Sequence, residues 1–177
     1  MHRLFVATRP PESIRDLLID AMDDSPDFRW QEDEQLHLTL RFVGEVERPV
    51  ASDLADTLSR IRSERFELRI AGAGCFEQRN SGALWAGVEP KGPVAALAAK
   101  VERVCQSIGL KPERRAFHPH ITLARWRGRR TREVQDYLER HGGLCSDAFT
   151  VDEFILFESR LSRHGAHYEA VVPYPLS

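Results

Sequence analysis

Apolar residues recur along this chain with two periods, one suited to strands and one to helices. Residues 3–8 (Arg-Leu-Phe-Val-Ala-Thr) read as a strand. Pro10 and Pro11 then set up a helix start, because proline is tolerated in the first turn. Ile14, Leu17, Leu18, Ala21 and Met22 follow at i, i+3, i+4, i+7 and i+8, a single apolar stripe. A polar turn around Pro26 leads to a short strand over 28–30, and residues 36–43 form a longer one stopped at Gly44. Val50, Leu54, Leu58 and Ile61 mark the buried side of a helix over 49–62. Residues 66–70 alternate as a strand that Gly72 and Gly74 loosen, and residues 84–88 form another that Pro90 closes.

The second half runs through the same order. Gly92-Pro93 opens a helix with Val94, Leu97, Val101, Val104 and Ile108 inside, and Gly109 supplies its stop. A strand is expected over 117–126. Thr131 is placed as the cap of a helix that buries Val134, Tyr137 and Leu138 and ends at Gly142-Gly143. Strands over 149–157 and 166–172 complete the pattern, and Pro173 and Pro175 close the chain.

Two short segments tie the halves together, His37-Leu38-Thr39-Leu40 and His120-Ile121-Thr122-Leu123, with histidines 83 residues apart (120 − 37). Phe66 and Phe149 each lie 29 residues beyond their histidine, Trp85 and Tyr168 each 48, and Pro90 and Pro173 each 53. Strand, helix, histidine strand, helix, strand thus occurs twice. A duplicated unit packed about a pseudo-two-fold axis brings equivalent residues together near that axis. The fold expected is therefore α+β: one bilobal domain over 1–177, with two antiparallel sheets, helices outside and a central cleft.

Composition narrows the class. A chain of 177 residues with 42% hydrophobic and 29% charged residues is an ordinary globular protein. Its formal charge of −2 confers no generic affinity for nucleic acid, so any such contact must be local. Cys75, Cys105 and Cys145 are odd in number, far apart and in no CxxC spacing, which suits reduced thiols in a cytoplasmic protein. No signal-peptide pattern precedes the first strand. The most apolar later stretch, 93–99, is cut short by Lys100, so no membrane contact is expected.

In a strand, residues two apart share a face. Each segment therefore presents an imidazole and a hydroxyl on one side, and Leu38 and Leu40 or Ile121 and Leu123 on the other. Histidine's ordinary pKa near 6.5 lets one imidazole accept a proton while another donates one. Two of them flanking a phosphorus atom can serve an in-line displacement, with the threonine hydroxyls on the non-bridging oxygens. A strained five-membered cyclic phosphodiester needs little more than that. His118 shares a strand face with His120, so a zinc site with His37 is a competing arrangement. No cysteine or carboxylate lies in ligand position nearby, and neither metal nor cofactor is expected. Trp85 and Tyr168 are read first as core.

The paired H-x-T-L motifs, Arg41-Phe42-Val43-Gly44, Pro119 to Arg125, and the tail Phe157-Glu158-Ser159-Arg160-Leu161 with Gly165, Tyr168 and Glu169 resemble the two-histidine phosphoesterase superfamily. Within it the chain is most similar to the RNA 2′,3′-cyclic phosphodiesterases, also called 2′-5′ RNA ligases. The resemblance implies hydrolysis of a 2′,3′-cyclic phosphate at an RNA 3′ end to a 2′-phosphate. By motif, His37 would be the proton donor and His120 the proton acceptor, with Thr39 and Thr122 holding the phosphate. Arg125 would neutralise phosphate charge, and Phe42 would stack on a base or else belong to the core. The arginines at 114, 115, 125, 127, 129, 130 and 132 fit an RNA partner such as a transfer-RNA fragment or short oligonucleotide. A monomer suffices. Joining of RNA ends through a 2′-5′ linkage and RNA-end binding without turnover are the alternatives.

Overall fold

The computed structural model describes residues 1–177. Its elements run β1 (His2–Thr8), α1 (Glu12–Asp20), β2 (Arg29–Trp30), a 3-10 turn (Asp33–Gln35), β3 (Leu38–Val46), α2 (Arg48–Leu58), β4 (Phe66–Gln78), β5 (Ser81–Glu89), α3 (Lys91–Ser107), β6 (His120–Arg127), α4 (Thr131–His141), β7 (Phe149–Val151), β8 (Glu153–Ser162) and β9 (Gly165–Pro175). The α+β class is as the periodicities predict, and so is the order of elements with one exception: the single strand expected over 149–157 is two, β7 and β8, separated at Asp152 and paired in opposite halves of the sheet.

The strands lie in the order β7-β4-β5-β6-β3-β1-β8-β9, all antiparallel, with β2 beside β6. Two four-stranded halves meet where β3 and β6 touch, through the single registered pair Leu38 and Ile121. The two expected sheets are thus joined edge to edge, and the histidine strands line the seam. Across the seam β1-α1-β3-α2-β4 and β5-α3-β6-α4-β8 are equivalent. Each unit sends its last strand into the other half: β4 pairs with β5, and β8 with β1. This exchange is why Trp85 on β5 and Tyr168 on β9 are not spatial equivalents despite their matched offsets. The counterpart of β5 is β1, and β9 adds an outer strand to the first half.

The helices cover one face. Leu4 and Val6 of β1, Leu38 and Leu40 of β3, and Ile121 and Leu123 of β6 are buried in one cluster with Leu18, Leu54, Leu58, Val94, Leu97, Val101, Val134 and Tyr137 from the four helices. Full burial of each such leucine or valine contributes roughly 1.5–3 kcal/mol. The opposite face is open apart from a small cluster of Phe5, Ala7, Ile155 and Phe157. That open face holds the cleft.

Three local expectations are corrected. Gly72 and Gly74 do not end the strand at 70; β4 runs on to Gln78, and an irregularity between Ile70 and Ala73 absorbs Gly72 at φ +79°. Gly74 allows a close approach instead, since a Cβ there would stand 2.5 Å from the Trp85 ring. Thr131 opens α4 rather than capping it, with Arg130 in the cap position. The second histidine strand begins at His120, not at 117, because Pro119 has no N–H for the ladder.

Gly82 permits another close approach: its missing Cβ leaves room for the buried Trp126 ring, which an ideal Cβ would meet at 2.1 Å. The Phe76 carbonyl would stand 2.6 Å away on the same side, so the clash is partly with backbone. Gly82→Ala is expected to cost about 1–3 kcal/mol by overpacking. Thermal denaturation should show a midpoint several degrees lower; an unchanged midpoint would contradict this packing.

Candidate active site

Both histidine strands carry the same irregularity. Along β3, Thr39 faces Ala7 and Arg41 faces Val6, which leaves Leu40 as an extra residue. Along β6, Thr122 faces Trp85 and Ala124 faces Leu84, which leaves Leu123 extra. A bulge of this kind reverses the alternation beyond it. The fourth residue of each H-x-T-L motif is therefore the bulge, and the fifth position after each histidine (42 − 37, 125 − 120) swings onto the cleft face. Phe42 and Arg125 occupy it. Simple alternation would have sent Arg125 into the core beside Ile121 and Leu123.

His37, Thr39, Phe42, His120, Thr122 and Arg125 all line one cavity of about 690 Å³ at the seam. The six residues that the motifs assign to the site are thus brought together, while of the arginines offered for RNA only Arg125 lines this cavity. The His37 Nδ1–H donates to the Gln35 carbonyl at 2.7 Å, and that carbonyl belongs to the 3-10 turn. The Gln35 amide in turn donates to Ala166 of β9 at 2.8 Å, which anchors the turn to the outer strand. With Nδ1 carrying the proton, Nε2 of His37 is an acceptor and receives the Thr39 hydroxyl at 3.0 Å. His120 is held in the same manner, its Nδ1–H donating to the His118 carbonyl at 2.6 Å. Both neutral rings therefore turn Nε2 toward the cleft.

Aromatic rings fix the two imidazoles from the side. Phe5 lies 4.9 Å from the His37 ring, and Tyr168 meets it edge-on at 5.2 Å. Phe76 meets His120 edge-on at 4.9 Å, with Trp85 at 6.1 Å. Trp85 and Tyr168 thus border the histidines, and Tyr168 lines the cavity, where a core role was expected. Phe42 is 41% exposed and carries the Arg3 guanidinium 5.4 Å above its ring, so it is a cleft residue and not core. Ser159, Trp30, Arg3, Arg29 and Arg163 also line the cavity. Ser159 belongs to the tail that carries the resemblance but was given no site role, and sequence reasoning missed the other four because β1, β2 and the tip of the β8–β9 hairpin carry no motif at those positions.

Burial sets the electrostatics. Desolvation is the main reason His37 has its pKa lowered from 6.5 to about 4, opposed by the bond to Gln35 and assisted by Arg125, His120 and Arg9. Desolvation also lowers the pKa of His120, opposed by its bond to the His118 carbonyl and assisted by His118 and Arg125. Both are therefore neutral imidazoles at pH 7. His118 does not join them toward a common point; its ring packs on Trp85 at 4.8 Å and on Phe76 at 5.3 Å. No group of three or more His, Cys, Asp or Glu side chains is placed to hold a metal ion.

Known proteins resemble this arrangement over nearly its whole length. Residues 10–163 match the 2′-5′ RNA ligase superfamily. An RNA 2′,3′-cyclic phosphodiesterase of Aeropyrum pernix is 38% identical over 143 residues, covering 79% of this chain and 81% of its own. One from Geobacillus stearothermophilus is 31% identical over 161 residues, covering 89% of this chain; the match spans 50% of that longer protein. The crystal structure of Escherichia coli LigT complexed with 3′-AMP superposes with a TM-score of 0.85 at 29% identity, covering 99% of this chain and 98% of that one. With matches of that extent joined to the paired motifs in one cavity, the chain belongs to the 2′-5′ RNA ligase superfamily.

Proposed function

We propose that the cleft hydrolyses RNA 2′,3′-cyclic phosphodiester ends to 2′-phosphomonoesters, with His120 as proton acceptor and His37 as proton donor. The observation that carries this reading is the convergence of two Nδ1-anchored imidazoles and two threonine hydroxyls on one cavity. Nε2 of His120 makes no hydrogen bond within the protein and is free to take a proton from water. The resulting hydroxide attacks phosphorus while the bond to the ribose 3′-oxygen breaks, and His37 delivers a proton to that oxygen. The 2′-oxygen keeps the phosphate. Thr39 and Thr122 donate to the non-bridging oxygens as charge shifts onto them. Arg125, which forms no ion pair with the protein's carboxylates, supplies a positive charge, and Phe42 offers a ring for the terminal base.

A donor role for His37 requires that it gain a proton when substrate binds. The anionic phosphate supplies the reason, since a negative charge within a few ångströms favours imidazolium. The assignment has a kinetic consequence. The kcat/KM profile reports the free protein, where both imidazoles titrate below 6.5. Both limbs of its bell are therefore expected below pH 6.5, as apparent values of the coupled pair. The kcat profile, which reports the bound state, should move to higher pH. A kcat/KM bell with both limbs above pH 7 would contradict the burial of this pair.

The decisive assay is incubation with a cyclic-phosphate-ended oligonucleotide followed by mapping of the product. A 2′-phosphate end supports the proposal, and recovery of unaltered cyclic-ended RNA from a tight complex would replace it with an RNA-end-binding role. No helix is long and apolar enough to cross a membrane, and the three cysteines are free thiols, which fits a cytoplasmic setting. Both motifs lie on one chain, so a monomer completes the site.

A further inference from the structure

The 3-10 turn Asp33–Gln35 is three residues long, too short to hold its own shape, so its position depends on what it is tied to. Gln35 makes the ties. Its N–H donates to the Glu32 carbonyl at 2.9 Å, and its side-chain oxygen accepts from the Glu32 N–H at 2.9 Å. Its side-chain amide donates to the Ala166 carbonyl of β9 at 2.8 Å. Its own carbonyl receives the His37 Nδ1–H at 2.7 Å. One residue thus spans from the outer strand to the imidazole, and a shift of its side chain moves the carbonyl that aims the ring.

The next two residues of β9 press on the same place. The His167 imidazole stands 3.7 Å from the Glu34 carboxylate, and the Tyr168 ring meets His37 edge-on. The pair with Glu34 is solvent-exposed on both sides and contributes little. The Gln35 amide is the directional tie.

The acceptor side is supported differently. β7 holds the matching outer place in the second half, but it has three residues and pairs with 66–68 of β4. Phe76, which borders His120, lies eight residues further along that strand (76 − 68). The His118 carbonyl that holds His120 instead ends a stretch, 111–118, that is exposed and contains neither helix nor strand. The two imidazoles of a near-symmetric pair therefore stand on unlike supports.

We infer that Gln35 is a positioning residue for His37: its side-chain amide, fixed to β9, holds the carbonyl that orients this imidazole, and His120 does not depend on it. The inference rests on the hydrolase reading above and deepens the donor half of it. A donor must aim Nε2–H at the departing oxygen, and a misplacement of about 1 Å can cost a factor of ~10² in rate. His37 is faced by Arg9 after β1, His120 and Arg125 on β6, and Tyr168 on β9. Arg3, Arg29, Glu32, Arg163 and His164 complete the charged lining of the cavity. A substitution at Gln35 alters none of these groups, so a change at His37 reports the tie.

The test uses Gln35→Met, which keeps the length of the side chain and removes its donor and acceptor. On a cyclic-phosphate-ended oligonucleotide kcat should fall about 10–100-fold while KM stays within about threefold. The alkaline limb of the kcat profile should move to lower pH, because the bond to the Gln35 carbonyl favours the protonated ring. Nitrogen-15 NMR of the imidazoles at pH 7 should show the Nδ1–H tautomer for both His37 and His120 in the parent. In Gln35→Met it should show mixed tautomers at His37 and no change at His120. Gln35→Asn, one methylene shorter, cannot reach both partners and should show the same changes in smaller degree. Glu34→Ala should stay within twofold of the parent rate. An unaltered His37 tautomer with an unaltered kcat in Gln35→Met overturns the inference, and so do equal changes at His37 and His120, which would mean a general loosening. The NMR comparison needs no turnover, so a parent protein inactive on every cyclic-ended substrate overturns the hydrolase reading separately.

Discussion

Replacing His37 or His120 by alanine is expected to lower kcat on a cyclic-phosphate-ended oligonucleotide by about 10²–10⁴-fold, the usual contribution of a positioned acid or base. The double variant should be little worse than either single one, because acid and base act in one transition state and their losses do not add. KM should change much less, since the phosphate contacts proposed for Thr39, Thr122 and Arg125 are left in place. A retained far-ultraviolet spectrum and melting temperature separate chemistry from misfolding, a needed control because Phe5, Tyr168 and Phe76 pack on these rings. Added imidazole should partly restore His120→Ala, which leaves a ring-sized vacancy. Losses below tenfold in both single variants would remove the histidines from the mechanism.

The two variants should also differ in their pH dependence. Loss of the base removes the limb that falls toward acid, where His120 would be protonated. Loss of the acid removes the limb that falls toward alkali, where His37 would lose its proton. Measuring kcat/KM for each variant across pH 4–8 therefore tests the donor and acceptor assignment separately from the existence of the pair. The same surviving limb in both variants would contradict it.

Much of this site was legible in the residues themselves. Two copies of histidine, apolar, threonine, leucine at one spacing predict two strands with a polar and an apolar face. Leu38, Leu40, Ile121 and Leu123 are indeed buried, while the histidines and threonines line the cavity. The helices were readable because each has a continuous apolar stripe, which a 3.6-residue period makes visible. What the pattern could not convey is pairing between distant strands. The exchange of β4 and β8 between halves depends on which edges meet, and no local period encodes that. The shared offset of 48 residues consequently suggested an equivalence of Trp85 with Tyr168 that the strand order denies.

Bulges were the other invisible feature. Leu40 and Leu123 look like ordinary core residues in an alternating strand, and both are buried. Only the register with Ala7 and Val6, and with Trp85 and Leu84, reveals that each is an insertion. Position five after each histidine depends on it. The same bulge that aims Arg125 into the cleft also turns Arg41 inward, toward α3.

Arg41 is the one arginine in the core, 9% exposed, and it carries the second large expected effect. Its guanidinium bonds to the Glu102 carboxylate on α3 and to the carbonyls of Phe42 and Lys111. Glu102 also accepts from the Gln106 amide at 3.0 Å and the Glu113 N–H at 2.9 Å. Together the pair pins the segment after α3, which leads to the His118 carbonyl that orients His120. Arg41→Met removes one partner and leaves Glu102 facing a hydrophobic neighbour. Breaking a buried pair in this manner costs about 3–5 kcal/mol. Glu102 keeps 22% side-chain exposure, so the lower end, about 3 kcal/mol, is expected in urea denaturation. Arg41→Met combined with Glu102→Met should recover a large part of that loss, because two apolar side chains avoid the desolvation that the ion pair must offset. The recovered stability should not restore the catalytic rate fully, since the tie to the Lys111 carbonyl is gone in both. If Arg41→Met is within 0.5 kcal/mol of the parent, the pair is an ornament of the surface of α3 and does not hold the segment that carries His118.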